Sequence, residues 1–188
     1  METDTTLYPL FEPVRAADES IRWAARPSLL PWIASGLPFL VIGLGWGALD
    51  YFGFIRNMKM TGDMATFTII FFAFHLFPFW GSILYMFYLV LSHKNAAFAA
   101  TERRIIIRQG LVGVDYRSIP YDSIGNMEVA TGPLHNLFGT GTIRIDASRR
   151  SNKGRVLYEN LQGIPAPYET FRYLESLTSK TFAAKQSF

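Results

Sequence analysis

Residues 98–110 read Phe-Ala-Ala-Thr-Glu-Arg-Arg-Ile-Ile-Ile-Arg-Gln-Gly, two short apolar runs on either side of a polar turn. A run of three isoleucines flanked by arginines is typical of a short strand. The pattern predicts one strand over residues 96–100, a turn over 101–103 and a second strand over 104–109. Gly110 then permits the next turn. This part of the chain is therefore expected to be a β-rich domain.

The sequence continues the β pattern beyond residue 110 and ends in a helix. Residues 142–147 alternate between apolar and polar side chains, which is typical of a half-buried strand. Residues 167–180 place an apolar stripe on one face of a helix. Other predicted segments are strands over 112–120, 123–130 and 155–159, a helical turn over 133–138 that ends at Gly139, and a polar hairpin loop over 148–154. The expected fold is a small β-barrel or sandwich capped by a C-terminal α-helix.

Two long apolar runs, residues 29–55 and 66–91, precede this domain. About 20 helical residues cross the hydrocarbon core of a bilayer, so each run predicts one membrane span. The connector over 56–65 is short and polar, which indicates an antiparallel membrane α-helical hairpin. Pro38 lies inside the first run and is expected to kink it. Gly36, Gly43 and Gly47 lie near one side of that helix, where they would let the second span approach closely.

The domain organisation expected from these patterns has four parts. They are a cytoplasmic lead-in over 1–28, a two-helix transmembrane hairpin over 29–92, a β-rich domain over 93–180 and a tail over 181–188. The first 20 residues contain five acidic side chains and no apolar core of a signal peptide, so no cleavable signal is predicted. Arginines and lysines before the first span and after the second place both termini in the cytoplasm, with the protein integral to the inner membrane.

Charge is distributed unevenly along the chain. The net charge is +3, but the residues before His93 carry about −2 and the rest about +5. Four cations crowd the predicted hairpin loop and are candidate contacts for anionic lipid headgroups or phosphate: Arg149, Arg150, Lys153 and Arg155. The alternative is an ordinary solvated hairpin. No aromatic side chains interleave these cations, so nucleic acid is not expected as a partner.

His75 is an ionisable residue inside the second predicted span. Such a residue is a candidate proton relay or haem ligand, although a neutral imidazole can also bond to a neighbouring helix. The second span is rich in aromatic residues, and the candidate contacts for a membrane protein partner or a second copy of the chain are His75, Phe71, Phe74 and Trp80. Asp50, near the end of the first span, is expected at the interface, paired with Arg56 or water.

Three segments together resemble a known family: residues 98–110, residues 118–124 (Ser-Ile-Pro-Tyr-Asp-Ser-Ile) and residues 134–145 (Leu-His-Asn-Leu-Phe-Gly-Thr-Gly-Thr-Ile-Arg-Ile). They resemble the bacterial pleckstrin-homology (PH)-like domain of small membrane proteins, which place two transmembrane helices before it. The resemblance extends to Glu19-Ser20-Ile21-Arg22-Trp23 in the lead-in. It implies two packed sheets with a C-terminal helix, and it implies no reaction. The Thr101–Arg104 turn and the Gly139–Gly141 corner are interpreted as determinants of this fold, with a ligand site as the alternative.

No sequence motif for catalysis is present. The chain has no cysteine, no phosphate-binding Gly-rich loop, no Gly-x-Ser-x-Gly and no His-Glu-x-x-His, so no enzyme activity, cofactor or metal is expected. The expected function is that of a membrane-anchored, non-enzymatic PH-like binding or scaffold protein at the cytoplasmic membrane surface. The alternative is an accessory subunit of a larger membrane protein complex that docks through its transmembrane helices.

Overall fold

The computed structural model describes residues 3–58, 63–150 and 156–186, without the side chains of 63–64, 134, 148–150, 156–157 and 181–186. The chain divides into two compact units. The β unit consists of Met1–Trp32 and Ser92–Phe188, and the helix unit consists of Ile33–Leu91. In chain order the elements are β1 (Ile21–Ala25), α1 (Leu29–Ala34), α2 (Leu37–Gly53), α3 (Asp63–His75), α4 (Phe77–His93), β2 (Ala97–Thr101), β3 (Arg104–Gln109), β4 (Asp115–Pro120), β5 (Asn126–Ala130), α5 (Pro133–Leu137), β6 (Thr140–Arg150), β7 (Val156–Pro165) and α6 (Pro167–Gln186).

Two antiparallel sheets form the β unit, one in the order β1-β2-β3-β4 and one in the order β5-β6-β7. Side chains from both sheets and from α6 meet in one core, among them Trp23, Ile105, Ile143, Leu161 and Leu174, each at most 1% exposed. The prediction of a small β-rich domain with a C-terminal helix is confirmed. Between the two alternatives, the described strands form a sandwich of two sheets and are not closed into a barrel.

The central strands of the four-stranded sheet, β2 and β3, are buried on both faces. Leu7, in a short 3-10 turn near the N-terminus, and Phe11, which follows that turn, pack on the outer face of the sheet against Ala24, Ala99 and Ile106. A strand covered on both faces has no solvent side and therefore needs no polar alternation. This explains the uninterrupted apolar runs of β2 and β3.

The first strand of this sheet comes from the lead-in, which sequence reasoning left without a strand. Ala24 of β1 is paired with Ala99 of β2, and Ala25 with Phe98. A five-residue strand whose partner lies more than 70 residues away carries little local signal. β1 therefore forms because it pairs with β2 in the folded protein.

The bounds of β3 agree with the prediction, while several others differ. β4 begins at Asp115, not at residue 112, and β6 continues to Arg150 into the predicted hairpin loop. β7 continues past residue 159 to Pro165, and α6 extends beyond residue 180 to Gln186. Gly139, with φ of 62°, makes the corner between α5 and β6 that was predicted there.

Both predicted spans of the helix unit are interrupted. The first run breaks at residues 35–36 between α1 and α2, and the second breaks at Leu76 between α3 and α4. Pro38 and Pro78 lie in the first turns of α2 and α4, where a missing N–H is harmless. The disruption expected at Pro38 takes the form of a break at residues 35–36, where the helix stops and then restarts.

Among the described residues, one helical stretch, Leu37–Asn57, is by itself long and apolar enough to cross a membrane. It joins α2 to a 3-10 turn at Ile55–Asn57. The pair Ala65–His75 and Phe77–His93 meets that length only when taken together, and its two parts are bent by 48°.

Close helix packing at three glycines is confirmed within the helix unit. A Cβ added at Gly43 would lie 2.6 Å from the Pro78 carbonyl oxygen and closer still to the Ser82 hydroxyl. One at Gly36 would meet Leu89, and one at Gly47 would meet Phe79. At Gly43 the backbones of α2 and α4 approach each other directly, while Gly36 and Gly47 leave room for side chains of α4.

Candidate functional site

An acidic and an imidazole side chain meet inside the helix unit. His75 Nε2, at the end of α3, lies 3.4 Å from Asp50 Oδ1 in α2. Asp50 is 4% exposed, and its Oδ2 has no hydrogen-bond partner among the described residues. The structure thus brings Asp50 to His75 and not to Arg56, while its expected contact with water stays a prediction. Asp50 lies one turn before the end of α2, and the break after His75 places the imidazole within its reach.

Trp46 stabilises the break beside His75. Its indole Nε1 donates to the carbonyl oxygen of His75 at 3.1 Å. That carbonyl is available because the Phe79 amide donates to Leu76 instead. The Trp46 ring also lies 5.4 Å from the imidazole, centroid to centroid. The indole thus replaces a helical hydrogen bond that the break removes.

The structure brings together only some of the four residues predicted to contact a partner within the membrane. Phe71 stacks on His75 with centroids 5.1 Å apart, one helical turn away. Phe74 is the neighbouring residue, rotated about 100° around the helix, and it is 78% exposed. Trp80 lies beyond the break in α4 and contacts Phe79. Phe71 and His75 form one cluster, while Phe74 and Trp80 are exposed surface residues.

The basic hairpin lies largely outside the described residues. The backbones of Arg149 and Arg150 end strand β6, but their side chains are not described. Lys153 and Arg155 lie wholly outside the described ranges. A contact with anionic headgroups at these four cations stays a prediction.

The Thr101–Arg104 turn fastens the lead-in to the β unit. Glu19 is 2% exposed and accepts from Arg104 Nη2 at 2.7 Å and from the Thr101 hydroxyl at 2.6 Å. The same hydroxyl oxygen accepts the amides of Arg103 and Arg104 and so closes the turn. The Arg104 guanidinium and then the Thr101 hydroxyl lower the pKa of Glu19 from its ordinary value of 4.5 to about 2, against the opposing effect of burial.

Two further pairs support this turn. Arg103 is paired with Asp18 at 2.6 Å, and Glu102 accepts from the amide and hydroxyl of Ser20 and from Arg22. The hydrogen bonds from Ser20 hold the pKa of Glu102 below its ordinary value. The turn is thus a determinant of the fold, as its sequence indicates. The signal that could have located its partner was the acidic pair Asp18-Glu19, opposite in charge to Arg103-Arg104.

A cleft separates the edges of the two sheets at β4 and β7. A cavity of about 430 Å³ is lined by residues 116–120 of β4 and by Ser123, Ala147 and Glu159. A second cavity of about 220 Å³ includes Trp32, Phe98, Ile107 and residues 158–160 of β7. Both share Arg117 and Glu159, whose side chains are bridged at 2.9 Å. We refer to the two cavities and this bridge as the β4–β7 cleft.

The floor of the β4–β7 cleft is apolar and its walls are polar. Ile119 and Phe98 are each 3% exposed, and amide or hydroxyl side chains surround them. Arg108 Nη1 donates to the Asn95 carbonyl at 2.8 Å, while its Nε is buried without a partner among the described residues. Sequence reasoning missed this cleft because it lies between strands that no local pattern brings together.

Comparisons with known proteins identify the family of the chain. No protein of curated function matches the chain. A crystal structure of a DUF1696 family protein with a pleckstrin-homology domain from Shewanella loihica is similar, with a TM-score of 0.45, 12% identity and coverage of 94% of this chain and 99% of that one. The family model described as bacterial PH domain matches residues 37–168, from the start of α2 to the first turn of α6. The chain therefore belongs to the bacterial PH domain family.

Proposed function

We propose that this chain is a membrane-anchored, non-enzymatic PH-like binding or scaffold protein of the cytoplasmic membrane. In this proposal the helix unit crosses the bilayer twice and the β unit lies on the cytoplasmic side with both termini. The observation that carries it is the exposure of the Leu37–Asn57 helix, of whose apolar stretch only 11% is buried within the structure. A core helix of a soluble protein would be mostly buried.

The exposed surface of the helix unit supports an apolar environment. Large apolar side chains are more than 60% exposed on three of its helices, among them Val41, Leu49, Phe67, Phe74 and Leu84. Each would gain about 1.5–3 kcal/mol if transferred from water to an apolar phase. Monomeric soluble proteins rarely expose so much contiguous apolar surface. Lipid is the partner that covers helices on several sides at once.

The bent pair α3–α4 is compatible with one second span. A broken helix is tolerated at membrane depth when other groups satisfy the freed backbone atoms. Trp46 does this for the His75 carbonyl, and the Asp50 carboxylate faces the imidazole of the same residue. The family match also begins in α2, so the helices belong to the matched range.

The accessory-subunit function is the second candidate. It is favoured by the aromatic surface of α3 and α4, where Phe67, Phe74 and Phe77 are each more than 70% exposed. Aromatic side chains are common anchors of helix-to-helix contacts as well as of lipid contacts. In this candidate a larger membrane protein covers that surface.

Extraction of native membranes tests both candidates. Alkaline carbonate should leave the chain in the pellet, because spanning helices are not released by charge disruption. Recovery in the supernatant would contradict anchoring by the helix unit. After mild detergent, a homogeneous homo-oligomer or monomer supports the scaffold, whereas a stoichiometric larger partner at every purification step supports the accessory subunit.

A further inference from the structure

The β sandwich has two lateral openings, and one of them is covered. α6 packs against β5 and β6, and the Tyr173 hydroxyl donates to the Arg22 carbonyl in β1 at 3.4 Å. This closes the side where β1 and β5 are the sheet edges. On the opposite side β4 pairs only with β3, and β7 only with β6, among the described strands. The β4–β7 cleft is that second opening.

The backbone of β4 borders the cleft along its length. Successive side chains of a strand point to opposite faces, yet all of residues 116–120 line the larger cavity. A cavity that contacts five consecutive residues must lie along the strand edge, not on one face. Alternate residues of an antiparallel edge strand turn their N–H and C=O groups away from the paired neighbour. The cleft therefore presents unused main-chain donors and acceptors.

The side chains of the cleft disfavour an anionic ligand. Its two arginines are already engaged, Arg117 with Glu159 and Arg108 with the Asn95 carbonyl. A phosphate or a headgroup that displaced Glu159 from Arg117 would be repelled by the freed Glu159 carboxylate, which is 15% exposed, whereas a neutral peptide backbone would not. Among the described residues that line the cleft, Arg117 is neutralised by Glu159, and the unpartnered Nε of Arg108 is buried from solvent.

An acyl chain also fits poorly. The larger cavity has Ser118 and Ser123 in its wall, and the smaller has Gln109, Asn160 and Gln162. Hydroxyl and amide groups lose hydrogen bonds to water when hydrocarbon covers them. The same hydroxyl and amide groups can form hydrogen bonds with the backbone and polar side chains of a peptide.

We propose that the β4–β7 cleft binds an extended peptide segment of a protein partner, which adds a strand to the edge of β4. Main-chain hydrogen bonds to β4 supply most of the affinity, and alternate side chains of the peptide enter the apolar floor at Ile119 and Phe98. The Arg117–Glu159 bridge opens to admit the segment. This inference rests on the proposed binding function and is independent of membrane anchoring.

Peptides selected on the intact protein test the inference. A phage library of random octapeptides is selected against the full chain in phosphatidylcholine nanodiscs, and hydrogen exchange locates each enriched peptide. We expect peptides that protect amides within 115–120. Every second amide of the bound peptide faces β4. N-methylation of that set of amides should weaken binding at least about tenfold, since several main-chain hydrogen bonds are lost, while N-methylation of the other set should be tolerated.

A matched pair of variants locates the site. Ser118→Trp should fill the cleft and abolish binding of these peptides, whereas Ser176→Trp, on the exposed side of α6, should leave it unchanged. Equal thermal unfolding of the two variants shows that both are folded.

Three results would overturn the inference. The first is that the enriched peptides protect amides only outside residues 115–120. The second is that binding survives N-methylation of either set of alternate amides. The third is that native mass spectrometry finds phospholipid retained by the wild-type protein but absent from Ser118→Trp. None of these results depends on carbonate extraction, so the peptide site and the membrane anchor are tested independently.

Discussion

The His75 imidazole lies 3.4 Å from the Asp50 carboxylate, and the two residues come from separate predicted membrane spans. Their contact joins α2 to α3 at the level where the second predicted span breaks. It is a polar contact in a unit whose remaining side chains are mainly apolar. Buried polar groups of this kind stabilise when paired and destabilise when one partner is removed.

A double-mutant cycle should detect this contact as a stabilising coupling. His75→Leu leaves the buried carboxylate without its partner, so the free energy of unfolding should fall by about 1–3 kcal/mol. Asp50→Leu together with His75→Leu should cost less than the sum of the single changes. Reversible unfolding in mixed micelles measures all three variants. Additive effects would show that the two side chains do not interact.

The two neighbouring glycines Gly43 and Gly45 should respond oppositely to alanine. A Cβ at Gly43 meets the Pro78 carbonyl oxygen at 2.6 Å, so Gly43→Ala should destabilise the helix unit by about 1–3 kcal/mol. Gly45 has open space at that position, so Gly45→Ala should stabilise by roughly 0.5–1 kcal/mol through helix propensity. Thermal unfolding of both proteins in one detergent checks the difference. Equal shifts would contradict the packing of α2 on α4.

Glu19 should make the β unit sensitive to acid. Its pKa is about 2 in the folded protein and 4.5 ordinarily, so the unfolded chain binds the proton more readily. The stabilisation is therefore fully present above about pH 4.5 and is lost as pH falls toward 2, by at most about 3 kcal/mol. Urea unfolding between pH 2 and 6 measures this slope.

A glutamine variant isolates that effect. Glu19→Gln should be less stable at pH 6 and should show a flatter dependence over the same range. Glu175→Gln, on an exposed position of α6, is the control and should keep the wild-type slope. If Glu19→Gln keeps it as well, the buried pair with Arg104 is not the cause.

The basic hairpin should bring its tip close to anionic lipid. Each cation near a negative leaflet contributes about 1 kcal/mol, so four together give a clear preference. Because the chain has no cysteine, a spin label at Ser151→Cys reports the depth of the hairpin alone. The label should be shielded from a water-soluble paramagnetic relaxation agent in phosphatidylglycerol nanodiscs and accessible to it in phosphatidylcholine nanodiscs. Glutamine at Arg149, Arg150, Lys153 and Arg155 should remove the difference, and a difference that persists would refute headgroup contact.

Local patterns predicted those parts of the fold that depend on local physics. The bounds of β3 follow from its β-branched run and flanking arginines, and the corner at Gly139 from a required positive φ. β1 could not be predicted because its stability comes from pairing with distant β2. The break at Leu76 had a visible cause, Pro78, which the apolar composition of the run concealed.

The candidate sites were harder to predict, because they depend on which elements meet. His75 was a visible candidate, yet its partner Asp50 became evident only once α2 and α3 were placed together. The β4–β7 cleft depends on two strand edges that remain unpaired, and a sheet edge is a property of topology. Charge patterning indicated the basic hairpin but not its environment.

Labelling of single cysteines in intact cells is the decisive test of a two-pass anchor with a cytoplasmic β unit. Thr5→Cys, Met58→Cys and Ser176→Cys are placed in the cysteine-free chain and exposed to a membrane-impermeant maleimide. We expect Met58→Cys to react in intact spheroplasts, while the other two react only after permeabilisation. Reaction of Thr5→Cys or Ser176→Cys from outside, or protection of all three, would contradict it.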